Sequence, residues 1–563
     1  MIVTPAGSYS TDGDLTKVAR AGHWRQLEPG ETGHDQTGNK VRGKTWVDGN
    51  LKPNIKPYEH QADALKTIKT LKPGRGIILA HGTGTGKTPS AVMAVEQQRS
   101  STQDRSRALI VAPAGLRENF HASGVQKFTT SSSQIVARPE QVKPGVDYTV
   151  VSYAAFRENP QGFIDAVKPT IVVADEFHRV ANPESKGFKA FEAVRSQIPR
   201  FVGLTASISQ NDPADIAPLL SLARGEPIDR QKFRRRHVRD VKTDQKGIFG
   251  GKITRPELKK EGELSALVGR SVHYVEDLDA DSKPSSSIET VEVPMAGEQL
   301  KVYRRTMKGI DPRTQQRAMS GLLPGEEKTN VLTRLMLARK ASNSLHTVMP
   351  MPLEEAAERT PKVKRLLDDT VKHLSDTPDG KVIIYTNFVK GGVDVVSAGL
   401  RARGIPFGIF AGKSVPGMTE SARQQAVTDY QAGRKKVIII TGAGAEGLSL
   451  GDTTAVHMLD GSYNPERNSQ AQARGIRAGG QSHRPVGERH VKVRRYVSTV
   501  PRGFWRTITF QKAPQSADQF VYNTAARKAS ANTDLRAVLE RRSRHESKDR
   551  DSVMHRMFAR EPA

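Results

Sequence analysis

Gly76–Val92 reads GIILAHGTGTGKTPSAV. A short apolar run, Ile77-Ile78-Leu79-Ala80, ends in a glycine-rich loop, and Lys87 and Thr88 follow before the pattern turns helical through Ala91, Val92 and Val95. The order is strand, loop, helix. Gly82, Gly84 and Gly86, with Thr83 and Thr85 between them, let the backbone approach a phosphate chain closely with its amide N–H groups turned inward. In such a loop Lys87 is placed to reach β- and γ-phosphates and the Thr88 hydroxyl to ligate Mg2+. The start of the following helix adds the positive end of its dipole. The strict G-x-x-x-x-G-K-[ST] pattern is broken at one place, because its first glycine falls on His81. A flexible Gly/Thr loop is the competing reading of this stretch taken alone.

The 563-residue chain is long enough for about three or four domains. Its hydrophobic residues (36%) and charged residues (26%) fit a soluble globular protein. No apolar run approaches the roughly 20 residues that span a bilayer, and the N-terminus has no basic segment leading into an apolar one. The expectation is a cytoplasmic, non-secreted protein. The chain has no cysteine, which excludes disulfides, thiolate zinc sites and cysteine nucleophiles. The net charge of +27 favours a polyanionic partner, of which nucleic acid is the commonest. Solubility, an acidic protein and a membrane surface are the other readings of that charge. No basic helix with an apolar face stands out to support the last.

Outward from the loop, four more apolar runs follow: Ala108–Ala112, Tyr148–Tyr153, Thr170–Ala174 and Phe201–Leu204. Alternating with helical stretches, such runs build a parallel sheet covered on both faces, with ligands at the carboxyl ends of its strands. Polar residues stand at those ends: Ser152, Asp175-Glu176, and Thr205-Ala206-Ser207. Asp175 is suited to hold Mg2+ through water, and Glu176 to orient and polarise an attacking water. Upstream, Pro57-Tyr58-Glu59-His60-Gln61 opens a helix. The Gln61 amide offers the donor–acceptor pair that selects an adenine edge, although a solvent-facing glutamine is the plainer reading in isolation.

From about Glu226 the composition changes. Arg230–His237 (RQKFRRRH) is a dense basic run, either a phosphate-backbone contact or a solvated helix face. Lys283–Ser287 reads as a loop, and Leu300, Tyr303, Leu332, Leu335 and Leu337 suggest helices. A second set of apolar runs then appears at Val382–Tyr385, Pro406–Phe410, Lys436–Ile440 and Ala455–Leu459. It implies a second sheet of the same kind without its own phosphate loop. A helix carrying Gln470, Arg474 and Arg477 follows; the two arginines, three apart, would share a face and could grip a γ-phosphate. The last stretch, from about Ser516, reads as helical and ends in a basic tail.

In this order the segments resemble the superfamily 2 helicases, and among them the Swi/Snf-type DNA translocases, from about Pro57 to Lys528. Pro57-Tyr58 with Gln61 is similar to the glutamine motif, and Gly84–Thr88 to motif I, with His81-Gly82-Thr83 where the Swi/Snf group often has Asp-Glu-Met. Asp175-Glu176-Phe177-His178 is a DExH form of motif II, and Leu204–Ser207 resembles motif III. Tyr385–Phe388 resembles motif IV, and Thr441–Leu450, with Gly447, is close to motif V. Gln470, Arg474 and Arg477, followed by Gly479-Gly480-Gln481, are close to motif VI with one residue inserted.

The resemblance implies an α/β fold: two RecA-like parallel-sheet lobes in tandem, a helical inter-lobe region and a basic helical C-terminal tail. The expected divisions are a polar N-terminal arm (1–50), lobe 1 (51–225), an inter-lobe region (226–360), lobe 2 (361–500) and a C-terminal extension (501–563). It implies one ATP site, with ATP and Mg2+ bound through Gln61, His81–Thr88 and Asp175, and catalysis by Lys87, Glu176, Arg474 and Arg477. Thr205, Ser207, Gly447 and Gln470 would couple that site to nucleic acid, with duplex DNA as the expected track. The compact length resembles a viral or bacterial member. The alternatives are an RNA helicase, and a nucleic-acid-binding structural protein with an inactive ATPase fold.

Overall fold

The computed structural model describes residues 2–3, 22–26, 33–34, 40–41 and 44–541, except 53–54, 56, 83, 102–105, 210–211, 245–251, 277–283, 311–313, 315–324, 413, 443–449, 477–479, 502–514 and 532. The chain forms two units. One comprises Met1–Val241, Pro256–Asp277 and Ala531–Ala563; the other comprises Lys242–Arg255 and Leu278–Ser530.

The first unit is built on a seven-stranded parallel sheet. In chain order its elements include α1 (Glu59–Lys69), β1 (Arg75–His81), α2 (Lys87–Ser101), β2 (Ala108–Ala112), β3 (Ser133–Ile135), β4 (Tyr148–Ser152), β5 (Ile171–Ala174), β6 (Arg200–Thr205), α3 (Arg230–His237) and β7 (Val272–Val275). The strands lie in the order β7-β1-β6-β5-β2-β4-β3. Every pairing is parallel. The apolar runs are continuous because both faces are covered. Ile77 and Leu79 enter one core, while Ile78 and Ala80 enter the other. Full burial of side chains of this size contributes about 1.5–3 kcal/mol each, which makes these runs the main stabilising feature of the unit.

The second unit holds a six-stranded parallel sheet. Its elements include β8 (Ser285–Pro294), α4 (Gly297–Met307), α5 (Gly325–Asn343), α6 (Pro361–Asp376), β9 (Lys381–Thr386), α7 (Asp394–Ala402), β10 (Phe407–Phe410), β11 (Val437–Thr441), β12 (Thr453–Met458), α8 (Pro465–Gln472), β13 (His490–Thr499) and α9 (Ala517–Ala531). The strand order is β8-β13-β12-β9-β11-β10. Val382 and Ile384 pack on one face, and Ile383 and Tyr385 on the other. Helix α9 is tied to this unit by a buried ion pair, Lys362 Nζ to Asp518 Oδ2 at 2.6 Å, with Phe520 inserted in a core beside Tyr303. Residues 533–541 are helical as well, and Leu535, Val538 and Leu539 enter a core of the first unit.

One local reading changes and two gain detail. Ser285–Ser287, read as a loop, open strand β8, because Ser285–Pro294 pairs in parallel with His490–Thr499. The arm before residue 50 contains a small antiparallel sheet in which Trp24 stands opposite Trp46. The basic run is helix α3, and most of its guanidiniums face acids of their own unit. Arg230 meets Asp215 at 2.8 Å, Arg234 meets Asp212 at 2.8 Å and Asp240 at 2.7 Å, and Arg236 meets Glu263 at 2.8 Å. Lys232 and Arg235 are exposed.

A phosphate loop, a carboxylate pair and an arginine pocket

Strand β1 delivers the loop. Gly84 and Gly86 take φ of +86° and +82°, in the left-handed region where a side chain would be strained. A Cβ on Gly84 would meet nothing within 4 Å, so the loop is open above that residue. Gly82 is constrained differently. Its N–H donates to Val275 O at 2.7 Å, and a Cβ there would lie 1.9 Å from Glu276 O. The end of β7 thus presses directly on the loop. Lys87 Nζ donates to His81 O at 3.0 Å and Gly82 O at 2.9 Å, folding its ammonium over the loop, and Thr85 Oγ1 donates to Gly82 O at 2.8 Å. Lys87 and Thr88, the first residues of α2, are half-buried. Thr83 lies outside the described residues.

Gln61 is buried against this loop. Its Nε2 donates to Gly86 O at 3.0 Å, and its Oε1 accepts from Tyr58 N at 2.9 Å. Both amide atoms therefore hold backbone, and each keeps capacity for one further bond. The neighbouring His60 donates from Nε2 to Thr85 O at 2.9 Å. Burial, first of all, pushes the His60 and His81 imidazoles below their ordinary value, and His81 far below it.

Strand β6 lies between β1 and β5, so the loop and the carboxylate pair sit two strand spacings apart, about 10 Å, at the same carboxyl edge. Asp175 is 8% exposed; its backbone carbonyl accepts from Tyr153 Oη at 2.7 Å, and its Oδ1 accepts from Glu176 N at 3.0 Å. Burial, with the Asp175 charge nearby, drives the Tyr153 phenol well above its ordinary range, which keeps it a donor. Glu176 takes φ 50°, ψ 49°, a left-handed conformation that costs a non-glycine residue about 1 kcal/mol or more. Its Oε2 is buried without a hydrogen-bond partner among the described residues, and lies 3.4 Å from His178 Nδ1. His178 Nδ1 is also 3.1 Å from Thr205 Oγ1. The Thr205 hydroxyl gives its single proton to Ser207 O at 2.8 Å, so His178 donates to it. The tips of β5 and β6 are thereby joined through side chains.

These residues fit Mg2+ and a triphosphate. The loop is open at Gly84, the Thr88 hydroxyl and the Asp175 carboxylate are hard oxygen donors of the kind Mg2+ takes, and Glu176 carries an unpartnered carboxylate oxygen. Bound Mg2+ would neutralise phosphate charge.

The second unit places a cavity of about 310 Å³ at the carboxyl ends of β9 and β11. Arg467, Gln470, Arg474, Asn387, Ser414 and Thr441 are among its walls. Asp460 organises one side: it accepts from Thr386 Oγ1 at 2.6 Å and from Asn387 Nδ2 at 2.6 Å, and Asn387 Oδ1 accepts from Tyr385 Oη at 3.0 Å. Asn464 caps α8 by accepting from Glu466 N at 2.9 Å, with Pro465 in the first turn. Helix α8 ends at Gln472, so Arg474 stands on the following turn and not on the helix. The turn is forced close to β12, since a Cβ on Gly475 would lie 2.7 Å from Thr453 Cγ2. Arg474 is nevertheless 5% exposed and lines the cavity. Arg477 and Gly447 lie outside the described residues.

Sequence reasoning missed Tyr153, Arg467 and Asp460 in these roles. Asp460 had a signal, a carboxylate at the tip of an apolar run. Tyr153 had none, because the residue it bonds, Asp175, lies 22 residues further along the chain.

Two tandem parallel α/β sheets, the first with a phosphate loop and an Asp-Glu pair, are the core of a superfamily 2 helicase-type ATPase. The chain belongs to the SNF2-related family: the SNF2-related domain matches residues 60–347, just over half of the chain, and the helicase conserved C-terminal domain matches residues 362–479. Among known proteins it is similar to an Acanthamoeba polyphaga mimivirus protein named as an ATP-dependent RNA helicase, at 25% identity over 82% of this chain and 92% of that one. It is similar also to the African swine fever virus protein called termination factor NPH-I homolog, at 21% identity over 83% of this chain and 76% of that one. The SWI2/SNF2 ATPase core of Sulfolobus solfataricus, solved with double-stranded DNA, aligns with 87% of this chain and 97% of its own at 16% identity and a TM-score of 0.35. The protein is thus a nucleic-acid-dependent ATPase of the helicase and translocase class. Among the described residues, no helix is long and apolar enough to cross a membrane.

Proposed function

We propose that the protein hydrolyses MgATP at the phosphate loop of its first unit and uses the cycle to move along duplex DNA. The observation that carries the chemistry is the shared carboxyl edge of β1, β6 and β5, which gathers Lys87, Thr88, Thr205, Asp175 and Glu176. Lys87 and Thr88 hold phosphates and Mg2+, Asp175 holds Mg2+ through water, and Glu176 is the general base. Arg474 and Arg477 supply guanidiniums to the γ-phosphate, a role that rests on their motif. Thr205, Ser207, Gly447 and Gln470 couple nucleotide state to nucleic acid, and the Thr205–His178 bond supports the first of these.

Duplex DNA as the track is supported by the net charge of +27 and by membership of the SNF2-related family. Contacts of this kind fall on phosphates and carry little sequence preference. A second reading, RNA as the track, is favoured by the name of the mimivirus relative. The two are separated by measuring ATP hydrolysis alone and with single-stranded DNA, duplex DNA and RNA, beside Lys87→Ala. Stimulation of tenfold or more by duplex DNA, abolished in Lys87→Ala, is the expected result. Stimulation by RNA alone would select the second reading. Salt-sensitive DNA binding with no hydrolysis would overturn the enzymatic assignment.

A further inference from the structure

Position 81 is where the strict phosphate-loop pattern has glycine, and here it carries a fully buried imidazole. His81 Nε2 lies 2.8 Å from His273 Nδ1, and His273 Nε2 lies 3.2 Å from Asp63 Oδ2. Three elements contribute: α1 brings Asp63, the tip of β1 brings His81, and β7 brings His273. The pairing of β7 with β1, Leu79 opposite His273 and His81 opposite Val275, puts both rings on one face of the sheet. The direction of the chain of bonds follows from its end. An ionised Asp63 can only accept, so His273 carries its proton on Nε2 and offers Nδ1 as acceptor, and His81 donates from Nε2. His81 Nδ1 is then a bare, buried acceptor with no partner among the described residues. The backbone of the same residue touches the proposed catalytic apparatus, since His81 O accepts from Lys87 Nζ at 3.0 Å. The His60 ring, which donates to Thr85 O, meets the His81 ring edge-on at 5.5 Å.

We propose that Asp63 and His273 are positioning residues for the nucleotide: through the His81 ring they fix where the phosphate loop leaves β1, and so set its affinity for ATP without touching it. The inference rests on the phosphate-loop reading above and adds residues that no loop motif contains. Losing the carboxylate removes the acceptor that fixes the His273 tautomer, so His273 no longer holds the His81 Nε2–H in one direction and the His81 ring loses its anchor. The loop then starts from an unanchored ring. Asp63 is partly exposed, so its replacement leaves no buried charge unpaired.

The test compares wild type, Asp63→Ala, Asp63→Asn, His81→Gly and the double variant Asp63→Ala with His81→Gly. Two readouts are taken: KM and kcat for DNA-stimulated ATP hydrolysis, and equilibrium binding of a fluorescent ADP analogue with Mg2+. Asp63→Ala is expected to raise KM and weaken analogue binding by five- to tenfold, with kcat changed less than twofold. Asp63→Asn keeps an acceptor for His273 and is expected to restore most of the affinity. In the His81→Gly background the Asp63→Ala change is expected to have no further effect, because the ring that transmits it is gone. If His81→Gly does not fold, the Asp63→Ala and Asp63→Asn comparison alone decides. Unchanged KM and binding in Asp63→Ala, or an equal effect in both backgrounds, would overturn the inference. Absence of any Mg-nucleotide binding by wild type would instead remove the proposed function beneath it.

Discussion

Gly82 and Gly84 show that two glycines of one loop are required for different reasons. Gly84 has open space but a φ of +86°; Gly82 has a backbone carbonyl where a side chain would begin. Gly84→Ala therefore costs about 1 kcal/mol of conformational strain. Gly82→Ala must push the loop away from the end of β7, and overpacking of this kind costs about 1–3 kcal/mol. Expressed as nucleotide affinity, Gly82→Ala is expected to lose tenfold or more, measured by titration with Mg-ADP, and to lower the melting temperature in the same preparation. Equal affinity for Gly82→Ala and wild type would show that the β7 contact does not shape the loop. Glu176 is the other residue held under strain. Its backbone is left-handed, and its Oε2 is buried without a hydrogen bond among the described residues, 3.4 Å from His178 Nδ1.

At the level of elements, strands made of continuous apolar runs were readable and most of the edge strands were not. Ile77–Ala80, Ala108–Ala112 and Ile171–Ala174 are apolar on both sides because helices cover both faces, and such runs announce themselves. Within the two parallel sheets, β3, β7, β8 and β13 went unread, and three of these lie at sheet edges. An edge strand such as β8, SSSIETVEVP, keeps most side chains exposed and so has no apolar run to detect. Strand β13 did carry a signal, with Val491 and Val493 buried in alternation. The phosphate loop and the DExH pair were legible because their spacing is local. The Asp63–His273–His81 chain was not, because its bonds close over 210 and 192 residues. Helix α9 was legible as a helix, but its anchor was not. Lys362 Nζ is buried and bonded both to Asp518 Oδ2 and to Asn343 Oδ1, each at 2.6 Å. Removing one partner of such a pair leaves an uncompensated buried charge, at a cost of about 3–5 kcal/mol. Asp518→Ala is expected to lower stability to chemical denaturation by that amount, whereas Lys364→Ala, which removes an exposed pair with Asp368, is expected to change it by less than about 1 kcal/mol.

For the whole molecule, the excess of positive charge and the ATPase units have to be joined into one activity. Much of the basic run Arg230–His237, for which a phosphate contact was one of two readings, is spent on Asp212, Asp215, Asp240 and Glu263 of its own unit. A charge of +27 still leaves a large surplus to meet phosphates. A chain that only binds DNA needs no water-orienting carboxylate; a chain that moves along it needs one turnover after another. The central claim is therefore tested most directly by displacement of a third strand from a DNA triplex, which reports movement along duplex without strand separation. Wild type with MgATP is expected to release the third strand, while Glu176→Gln is expected to bind nucleotide and DNA yet release none. Release by Glu176→Gln at the wild-type rate, or DNA-stimulated hydrolysis by wild type with no release, would contradict the account.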